Sequence, residues 1–260
     1  MSFIAIDKRF FGPPNSGNGG YVCGLLAKHF PGSAEITLRA PPPLERELHI
    51  ETRADGAVEL HAAEKLIAAG WPVQLDIQDI PPATYSAAED AARRTPYDES
   101  NHNLPMCFVC GPARKHGDGL RIFAGPLRPE ASDGLVAATW VPYANLADTS
   151  GYVAREFLWA ALDCPTGYAG VGARQLGLNG SETILLGRPV RPAQRAAAAH
   201  RRDRPTPATP VHMAIVFPQM SAAAFPWGPS PHILTREMLA PEHLGMSLGV
   251  TANPCATLAH

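Results

Sequence analysis

The feature that most constrains this chain is an alternation of apolar and polar side chains between residues 36 and 78. Apolar residues, with Thr52 in the same series, occupy every second position in four short segments, 36–38, 48–52, 58–60 and 73–77, and polar residues lie between them. This period of two is typical of antiparallel strands that cover a core with one face and meet water with the other. The pattern therefore predicts a meander of antiparallel strands in the first third of the chain.

An apolar helix is predicted immediately before these strands. The run Asn18-Gly19-Gly20 is a turn and N-cap signal, and apolar residues follow it at helical spacing over residues 21–30. A Pro-Gly pair at 31–32 ends the pattern. A mostly apolar helix followed by a meander implies a sheet that wraps around the helix. Residues 1–80 are thus predicted to form one α+β unit.

The same order of elements recurs after a linker, residues 81–105, which is predicted to be a loop with one short helix. Residues 106–188 are predicted to form a second, similar unit. Its expected parts are strands at 120–123 and 135–141, a capping cluster at 148–151, an apolar helix that ends at Cys164-Pro165, and a strand at 183–187. The helix is expected to stop there because the residue before a proline disfavours the helical conformation.

Residues 189–260 have a different character. They hold 11 of the chain's 27 prolines and no lysine. This Pro/Ala/Arg-rich composition predicts a poorly structured segment, so the second unit is expected to be about three strands short. Either those strands are disguised, or this segment is not the sequence that completes the unit. An out-of-frame reading of a GC-rich gene would have such a composition, and a better strand pattern in another frame would support that hypothesis.

Bulk properties exclude several classes of protein. A net charge of -2 and a pI near 6.5 favour neither a nucleic-acid partner nor a membrane partner. The first residues lack the basic and long apolar stretches of a signal peptide, so the expected location is the cytoplasm. Five scattered cysteines argue against a disulfide framework. The motifs of α/β-hydrolases, P-loop NTPases and dinucleotide-binding dehydrogenases are missing from the sequence.

Four segments of the sequence resemble a known family. They are residues 11–22 (FGPPNSGNGGYV), residues 36–44 (ITLRAPPPL), the run CFVCG at 107–111 with GLRI at 119–122, and residues 156–163 (EFLWAALD). Together they resemble the double-hotdog acyl-CoA thioesterase-like superfamily. The resemblance implies an α+β hotdog fold in tandem, hydrolysis of an acyl-CoA thioester, and no cofactor beyond the coenzyme A of the substrate. If the second unit lacks strands, a homodimer would cover the exposed sheet edges.

The expected catalytic residues are Asp163, Asn18 and Glu156. Asp163 closes the predicted apolar helix, where a negative charge is unfavourable for the helix dipole. The resemblance implies that it activates the attacking water, whereas a purely local role would be to bond the backbone near Thr166. Glu156 lies about two turns earlier and is expected on the same side of the helix. A solvated carboxylate paired with an arginine is the simpler explanation for it.

The substrate is expected to meet Gly19, Gly20 and Thr183. Backbone N–H groups at a helix N-terminus can hold the carbonyl oxygen of a thioester, and glycine permits a close approach. Simple N-capping would explain the two glycines as well. Thr183, or Ser181 beside it, would supply a hydroxyl group.

Cys107 and Cys110 form a single Cys-x-x-Cys pair. With His102 or His116 it would resemble a zinc site, but a structural site usually has a second close pair, which the sequence lacks. The sequence therefore predicts that both cysteines are loop or strand residues and that no metal is bound.

Two other functions stay open. One is a hotdog enoyl-CoA hydratase or dehydratase, against which Asn18 counts because that chemistry usually uses a histidine at this position. The other is a non-catalytic acyl-CoA-binding hotdog protein, which would bind its ligand without turnover.

Overall fold

The structure, a computed structural model, describes residues 2–73, 83–96, 101–130 and 136–171, together with short strands further along the chain. The helices are α1 (Gly19–Ala27), α2 (Tyr85–Arg93) and α3 (Arg155–Val171). The strands up to α3 are β1 (Ser2–Ala5), β2 (Ala34–Leu38), β3 (Glu47–Thr52), β4 (Val58–Ala62), β5 (Lys65–Pro72), β6 (Gly125–Pro126) and β7 (Val136–Trp140). After α3 come β8 (Asn179–Ile184), β9 (Met213–Phe217), β10 (Met238–Ala240), β11 (His243–Gly245) and β12 (Val250–Pro254).

The N-terminal unit is a helix held against an antiparallel sheet. The main sheet has the strand order β1-β3-β4-β5-β2-β8-β12, and α1 lies between β1 and β2 along the chain. Val22 and Leu26 of α1 are fully buried in one core with Ile36, Leu48 and Leu60 of the strands. A helix packed against an antiparallel sheet is the arrangement predicted from the sequence, and the strand order comes from the structure. The fold is an α+β hotdog.

The strand β5 was not predicted from the sequence. The predicted strand at 73–77 lies outside the described residues except for Val73, and the strand that the structure shows here is β5, which ends at Pro72. Its centre, Ala68-Ala69-Gly70, has low β propensity, so pairing with β4 on one side and β2 on the other must impose the extended conformation. A Cβ on Gly70 would lie 2.2 Å from Ile36 Cδ1 and 3.2 Å from the Glu35 carbonyl oxygen, so a side chain there would displace the buried Ile36 side chain.

The predicted helix in the second half is longer than expected. α3 passes through Pro165 and continues to Val171, so the prediction that Cys164-Pro165 ends the helix is wrong. Proline removes one N–H but does not prevent a helix whose face is fixed by packing, and Leu158, Trp159 and Leu162 are at most 2% exposed. Asp163 therefore lies inside α3, not at its end.

The capping cluster at 148–151 forms a turn and does not start the helix. Asp148 Oδ1 accepts hydrogen bonds from the N–H groups of Ser150 and Tyr152, and α3 begins later, at Arg155. The predicted strand at 120–123 is also wrong, since these residues form a loop in which Arg121 has a positive φ of 55°. Leu120 N–H and Ile122 N–H donate to the carbonyl groups of Phe108 and Val109, so the loop is paired with the Cys-x-x-Cys segment.

The second half adds strands to the first sheet and builds a small sheet of its own. β8 pairs antiparallel with β2, and β12 pairs with β8. β7 pairs with β6 and β9 in the small sheet, where α2 packs Ala88 and Ala91 against Ala137. Thus α2 occupies the predicted linker, and β9 to β12 are the described parts of residues 189–260. Within the described part of the chain, no helix is both long and apolar enough to cross a membrane.

Candidate functional site

Two helices meet at the site, and glycines set how closely they approach. A Cβ on Gly20 would lie 2.6 Å from the Trp159 carbonyl oxygen and 2.7 Å from Asp163 Cβ, and a Cβ on Gly24 would lie 2.5 Å from Glu156 Cα. As α1 runs from Gly20 to Gly24, its neighbours on α3 run backwards from Asp163 to Glu156, so the helices are antiparallel. Because Gly20 and Gly24 have no side chains, the backbone of α1 packs directly against α3.

The side chain of Asp163, which belongs to α3, contacts the N-terminus of α1. Its Oδ2 accepts a hydrogen bond of 2.6 Å from Asn18 Nδ2 and one of 3.1 Å from Gly20 N–H. Asn18 is 1% exposed and also caps α1, because its Oδ1 accepts from Tyr21 N–H at 2.9 Å. The amide of Asn18 is therefore fixed at both ends, with its oxygen held by α1 and its nitrogen aimed at the carboxylate of α3.

This arrangement suits a negative charge. The N-terminus of a helix carries a partial positive charge, and two donors already converge on Asp163 Oδ2. Gly19, half-buried at the first position of α1, approaches the same carboxylate, since a Cβ there would lie 3.6 Å from Oδ2. The predicted residues Asn18, Gly19, Gly20 and Asp163, which are far apart in sequence, thus come together at one place.

Glu156 is placed on the same face of α3, but with a different partner. Its Oε1 accepts a hydrogen bond of 2.5 Å from Lys28 Nζ at the C-terminal end of α1. The residue is 8% exposed, and Oε2 has no hydrogen-bond partner among the described residues. The partner is a lysine and not the arginine considered from the sequence. Thr183 lies on β8, in register with Glu35 of β2.

An aromatic cluster also joins α1 to α3. The Tyr21 ring stacks on Phe10 with 3.9 Å between ring centroids, and Phe108 and Phe157 complete the cluster. Burial raises the pKa of Tyr21 well above its usual range, and the negative charge of Glu156 raises it further. Tyr21 is therefore a neutral phenol at physiological pH.

A group of thiols was only partly foreseen. Cys164, on α3 beside Asp163, joins Cys107 and Cys110, and the three Sγ atoms all lie within 4.8 Å of one another. Hydrogen bonds from the Cys110 and Cys164 thiols lower the pKa of Cys107, and their bonds to Cys107 raise the pKa of both partners. Spacing along the chain gave no signal for Cys164, because 54 residues separate it from Cys110 and only the fold joins them.

A second group of potential metal ligands, His49, Glu51 and His61, lies on the main sheet and is partly exposed. The two imidazole rings stack at 4.9 Å across β3 and β4, and His61 Nε2 is 2.9 Å from Glu59 Oε2. Leu48, Ile50 and Leu60, which alternate with these residues, are buried against α1, so the group lies on the opposite face of the sheet.

Comparisons with known proteins give matches in structure alone. No protein-family model matches the chain, and no curated protein matches it in sequence. A Thermobifida fusca protein provisionally named thioesterase II is 13% identical with a TM-score of 0.42, over 71% of this chain and 75% of that one. A hot dog fold protein of unknown function from Alicyclobacillus acidocaldarius is 13% identical with a TM-score of 0.41, over 72% and 73%. The tesB protein of Mycobacterium avium subsp. paratuberculosis is 12% identical with a TM-score of 0.42, over 72% and 74%.

Proposed function

We propose that this protein hydrolyses an acyl-CoA thioester, with Asp163 as the general base. The observation that carries the proposal is the carboxylate of Asp163 at the N-terminus of α1, within 2.6 Å of the Asn18 amide. A carboxylate and helix N–H groups at one point are the two components that thioester hydrolysis needs, a base and a stabiliser of the developing oxyanion. The sequence resemblance to hotdog thioesterases supports the same reaction.

The chemistry would proceed in two steps. A carboxylate has about four acceptor sites, so Asp163 can bind a water molecule in addition to Asn18 and Gly20. Asp163 takes a proton from this water as the oxygen attacks the thioester carbon, and the carbonyl oxygen becomes negative. The N-terminus of α1 at Gly19 stabilises that charge. The tetrahedral intermediate then collapses, and coenzyme A leaves as a thiol with the proton that Asp163 held.

The pairing of the helices and strands supports a tandem of two hotdog units in this proposal. α1 followed by β2 has a counterpart in α3 followed by β8, and the two strands pair antiparallel, as do the two helices. An arrangement of this kind relates two copies by a twofold axis, with Asn18 contributed by one unit and Asp163 by the other. The proposed substrate is a small molecule, an acyl-CoA, and the reaction needs no further cofactor.

A non-catalytic acyl-CoA-binding protein is the second candidate, and one observation favours it. Asp163 Oδ2 accepts from Gly20 N–H, one of the backbone donors that a helix N-terminus leaves unpaired, so Asp163 can be explained as an anchor that holds α3 to α1. Such a protein would bind acyl-CoA without releasing a thiol. A hydratase is less suitable because Asn18 stands where that reaction uses a histidine.

The test is free-thiol release from short-chain, medium-chain and aromatic acyl-CoAs by the full chain. We expect Asp163→Asn to lower kcat at least a hundredfold, because it keeps the shape of the side chain but cannot accept a proton. Asp148→Asn is the matched control. It also removes a carboxylate that accepts backbone N–H bonds, on the turn before α3, and should keep full activity.

The outcomes separate the two candidates. Turnover that is lost in Asp163→Asn and kept in Asp148→Asn supports the hydrolase. Binding of acyl-CoA, measured by calorimetry, without thiol release from any substrate would favour the binding protein. Turnover that is unchanged in Asp163→Asn would refute the assignment of the base.

A further inference from the structure

The three thiols of Cys107, Cys110 and Cys164 form a compact triangle in the core. Cys107 Sγ and Cys164 Sγ are 3.5 Å apart, and no pair among the three exceeds 4.8 Å. Sulfur atoms on a tetrahedral zinc ion, each about 2.3 Å from the metal, are about 3.8 Å from one another. The observed triangle therefore needs shifts of only about 1 Å to accommodate such an ion at its centre.

The backbone around Cys107 and Cys110 holds this triangle in place. Gly111 N–H donates to the Cys107 carbonyl at 3.0 Å, which closes a tight turn. A Cβ on Gly111 would lie 2.5 Å from the Cys107 carbonyl oxygen and 2.6 Å from its nitrogen, so this position requires glycine. Both thiols consequently point to the same side of the turn, where α3 presents Cys164.

Side chains fix the loop that carries the turn. Arg114, 6% exposed, donates to the Met106 carbonyl at 2.7 Å and to the Arg9 carbonyl at 2.7 Å, and it pairs with Asp118 at 3.0 Å. Phe108 N–H donates to the Phe11 carbonyl at 2.8 Å. The turn is thus tied to the N-terminal unit as well as to α3. A loop so strongly held would keep its thiols together before any ion arrives.

The composition of the triangle suits a thiophilic cation. Cys107 is 1% exposed and Cys110 is 7% exposed, so water competes little with these two sulfur atoms for an ion. Sulfur is a preferred ligand of zinc in structural sites, and a thiol that binds zinc gives up its proton.

We propose that Cys107, Cys110 and Cys164 bind one thiophilic divalent cation, of which zinc is the best fit, through three sulfur ligands. The fourth position is filled by water or another small ligand on the side of Cys164, the least buried of the three. Each thiol that still carries a proton releases it as its sulfur–metal bond forms, so affinity for the ion rises with pH. The ion ties the turn at 107–111 to α3, one residue beyond Asp163.

His102 is not included among the ligands. Its Nδ1 accepts a hydrogen bond from Leu104 N–H at 2.9 Å, so in the neutral ring the proton is on Nε2. If Nε2 bound the metal, the ring proton would have to be on Nδ1, where it would point at the Leu104 N–H, which is itself a donor. A disulfide between two of the cysteines is the competing use of the cluster, and it would leave the third thiol alone.

The test uses the full chain, reduced and freed of metal, titrated with Co²⁺ and then Zn²⁺. We expect one Co²⁺ per chain with a sulfur-to-cobalt charge-transfer band that Zn²⁺ abolishes. Cys107→Ser, Cys110→Ser and Cys164→Ser should each weaken zinc binding at least a hundredfold. Cys23→Ala, which changes a fully buried cysteine outside the triangle, should bind zinc like the wild type.

X-ray absorption at the zinc edge tests the wild-type protein without any substitution, so it stays decisive if the serine variants fail to fold. Three sulfur neighbours at about 2.3 Å support the site. A shell of nitrogen and oxygen alone would overturn it and would point to the partly exposed group of His49, Glu51 and His61. Absence of the charge-transfer band, or a disulfide that forms within the triangle while Zn²⁺ is present in excess, would also overturn it.

Discussion

The side-chain amide of Asn18 donates a 2.6 Å hydrogen bond to Asp163 Oδ2, although 145 residues separate the two along the chain. The bond joins the cap of α1 to the middle of α3. Since Asn18 Oδ1 is held by Tyr21 N–H, the amide cannot turn away without loss of the cap. The hydrogen bond between Asn18 and Asp163 therefore depends on an amide that is fixed in one orientation.

Asn18→Asp isolates this contact, because aspartate caps a helix as well as asparagine does. The variant replaces a donor by a second carboxylate beside Asp163, which removes the bond and adds repulsion between like charges. We expect a loss of about 2–3 kcal/mol in the free energy of unfolding at pH 7. A shared proton raises the folded-state pKa of the pair, so part of the loss should be recovered as the pH falls below about 5.

Urea unfolding of wild type and Asn18→Asp between pH 4 and pH 8 measures this effect. Asn15→Asp, at an exposed position three residues earlier, serves as the control for the change in net charge. An equal stability of Asn18→Asp and wild type across that range would show that the bond to Asp163 contributes nothing to the folded state.

The buried carboxylate of Glu156 gives the second prediction. Its side chain is 10% exposed, whereas that of its partner Lys28 is 43% exposed. Lys28→Met keeps the aliphatic stem but leaves the carboxylate without its cation. Because water reaches the lysine side of the pair, we expect a loss of about 1–2 kcal/mol, less than for a fully buried pair.

A double-mutant cycle with Glu156→Gln measures the pair itself. The double variant should be about 0.5–1 kcal/mol more stable than the sum of the single changes predicts. Thermal unfolding at low and high salt checks this, and a partly buried pair should keep most of its coupling in salt. Strict additivity would mean that Lys28 and Glu156 do not stabilise each other.

The sequence predicted the fold better than it predicted the positions of the strands. The N-cap at Asn18 and the alternation in β3 and β4 are local signals, and the structure has all three elements, α1, β3 and β4, where these signals place them. The strand β5 gave no such signal, because its Ala-Ala-Gly centre is held extended by its neighbours. In the same way α3 continues past Pro165, since packing against α1 outweighs the local preference.

In the candidate site, too, local signals in the sequence identified single residues, whereas their contacts depend on the fold. Asn18 and Asp163 were each singled out by a local feature, but only the packing of α1 on α3 puts them in contact. Asp163 was interpreted as the last residue of a helix, and it lies in the middle of one. The partnership of Cys164 with Cys107 depends on the approach of a loop to a helix, which no spacing along the chain encodes.

The third prediction concerns alkaline pH. Burial, and then the charge of Glu156, raises the pKa of Tyr21 above its value in an unfolded chain, which is about 10. The folded protein therefore holds this proton where the unfolded chain loses it. The stabilisation is complete below about pH 10 and is lost progressively as the pH rises above it.

Tyr21→Phe removes the titrating group and keeps the ring that stacks on Phe10. We expect the urea midpoint of the wild type to fall more steeply than that of the variant between pH 9.5 and pH 11. Tyr143→Phe, a change at a partly exposed tyrosine, is the matched control and should follow the wild type. Parallel curves for wild type and Tyr21→Phe would contradict the raised pKa.

The last prediction follows from the three-thiol site and concerns stability. An ion that binds only the folded chain stabilises it by RT ln(1 + [L]/Kd), about 4 kcal/mol when the free ion is a thousandfold above Kd. Zn²⁺ should therefore raise the Tm of the reduced protein, and a chelator should reverse the rise. In Cys164→Ser the rise should disappear, because the loop at 107–111 is no longer joined to α3 through the ion.

Differential scanning calorimetry of the wild type and Cys164→Ser, with Mg²⁺ as the control ion, measures the shift in Tm. Since magnesium prefers oxygen ligands, an equal shift with Mg²⁺ would trace the stabilisation to carboxylates and not to the thiols of Cys107, Cys110 and Cys164.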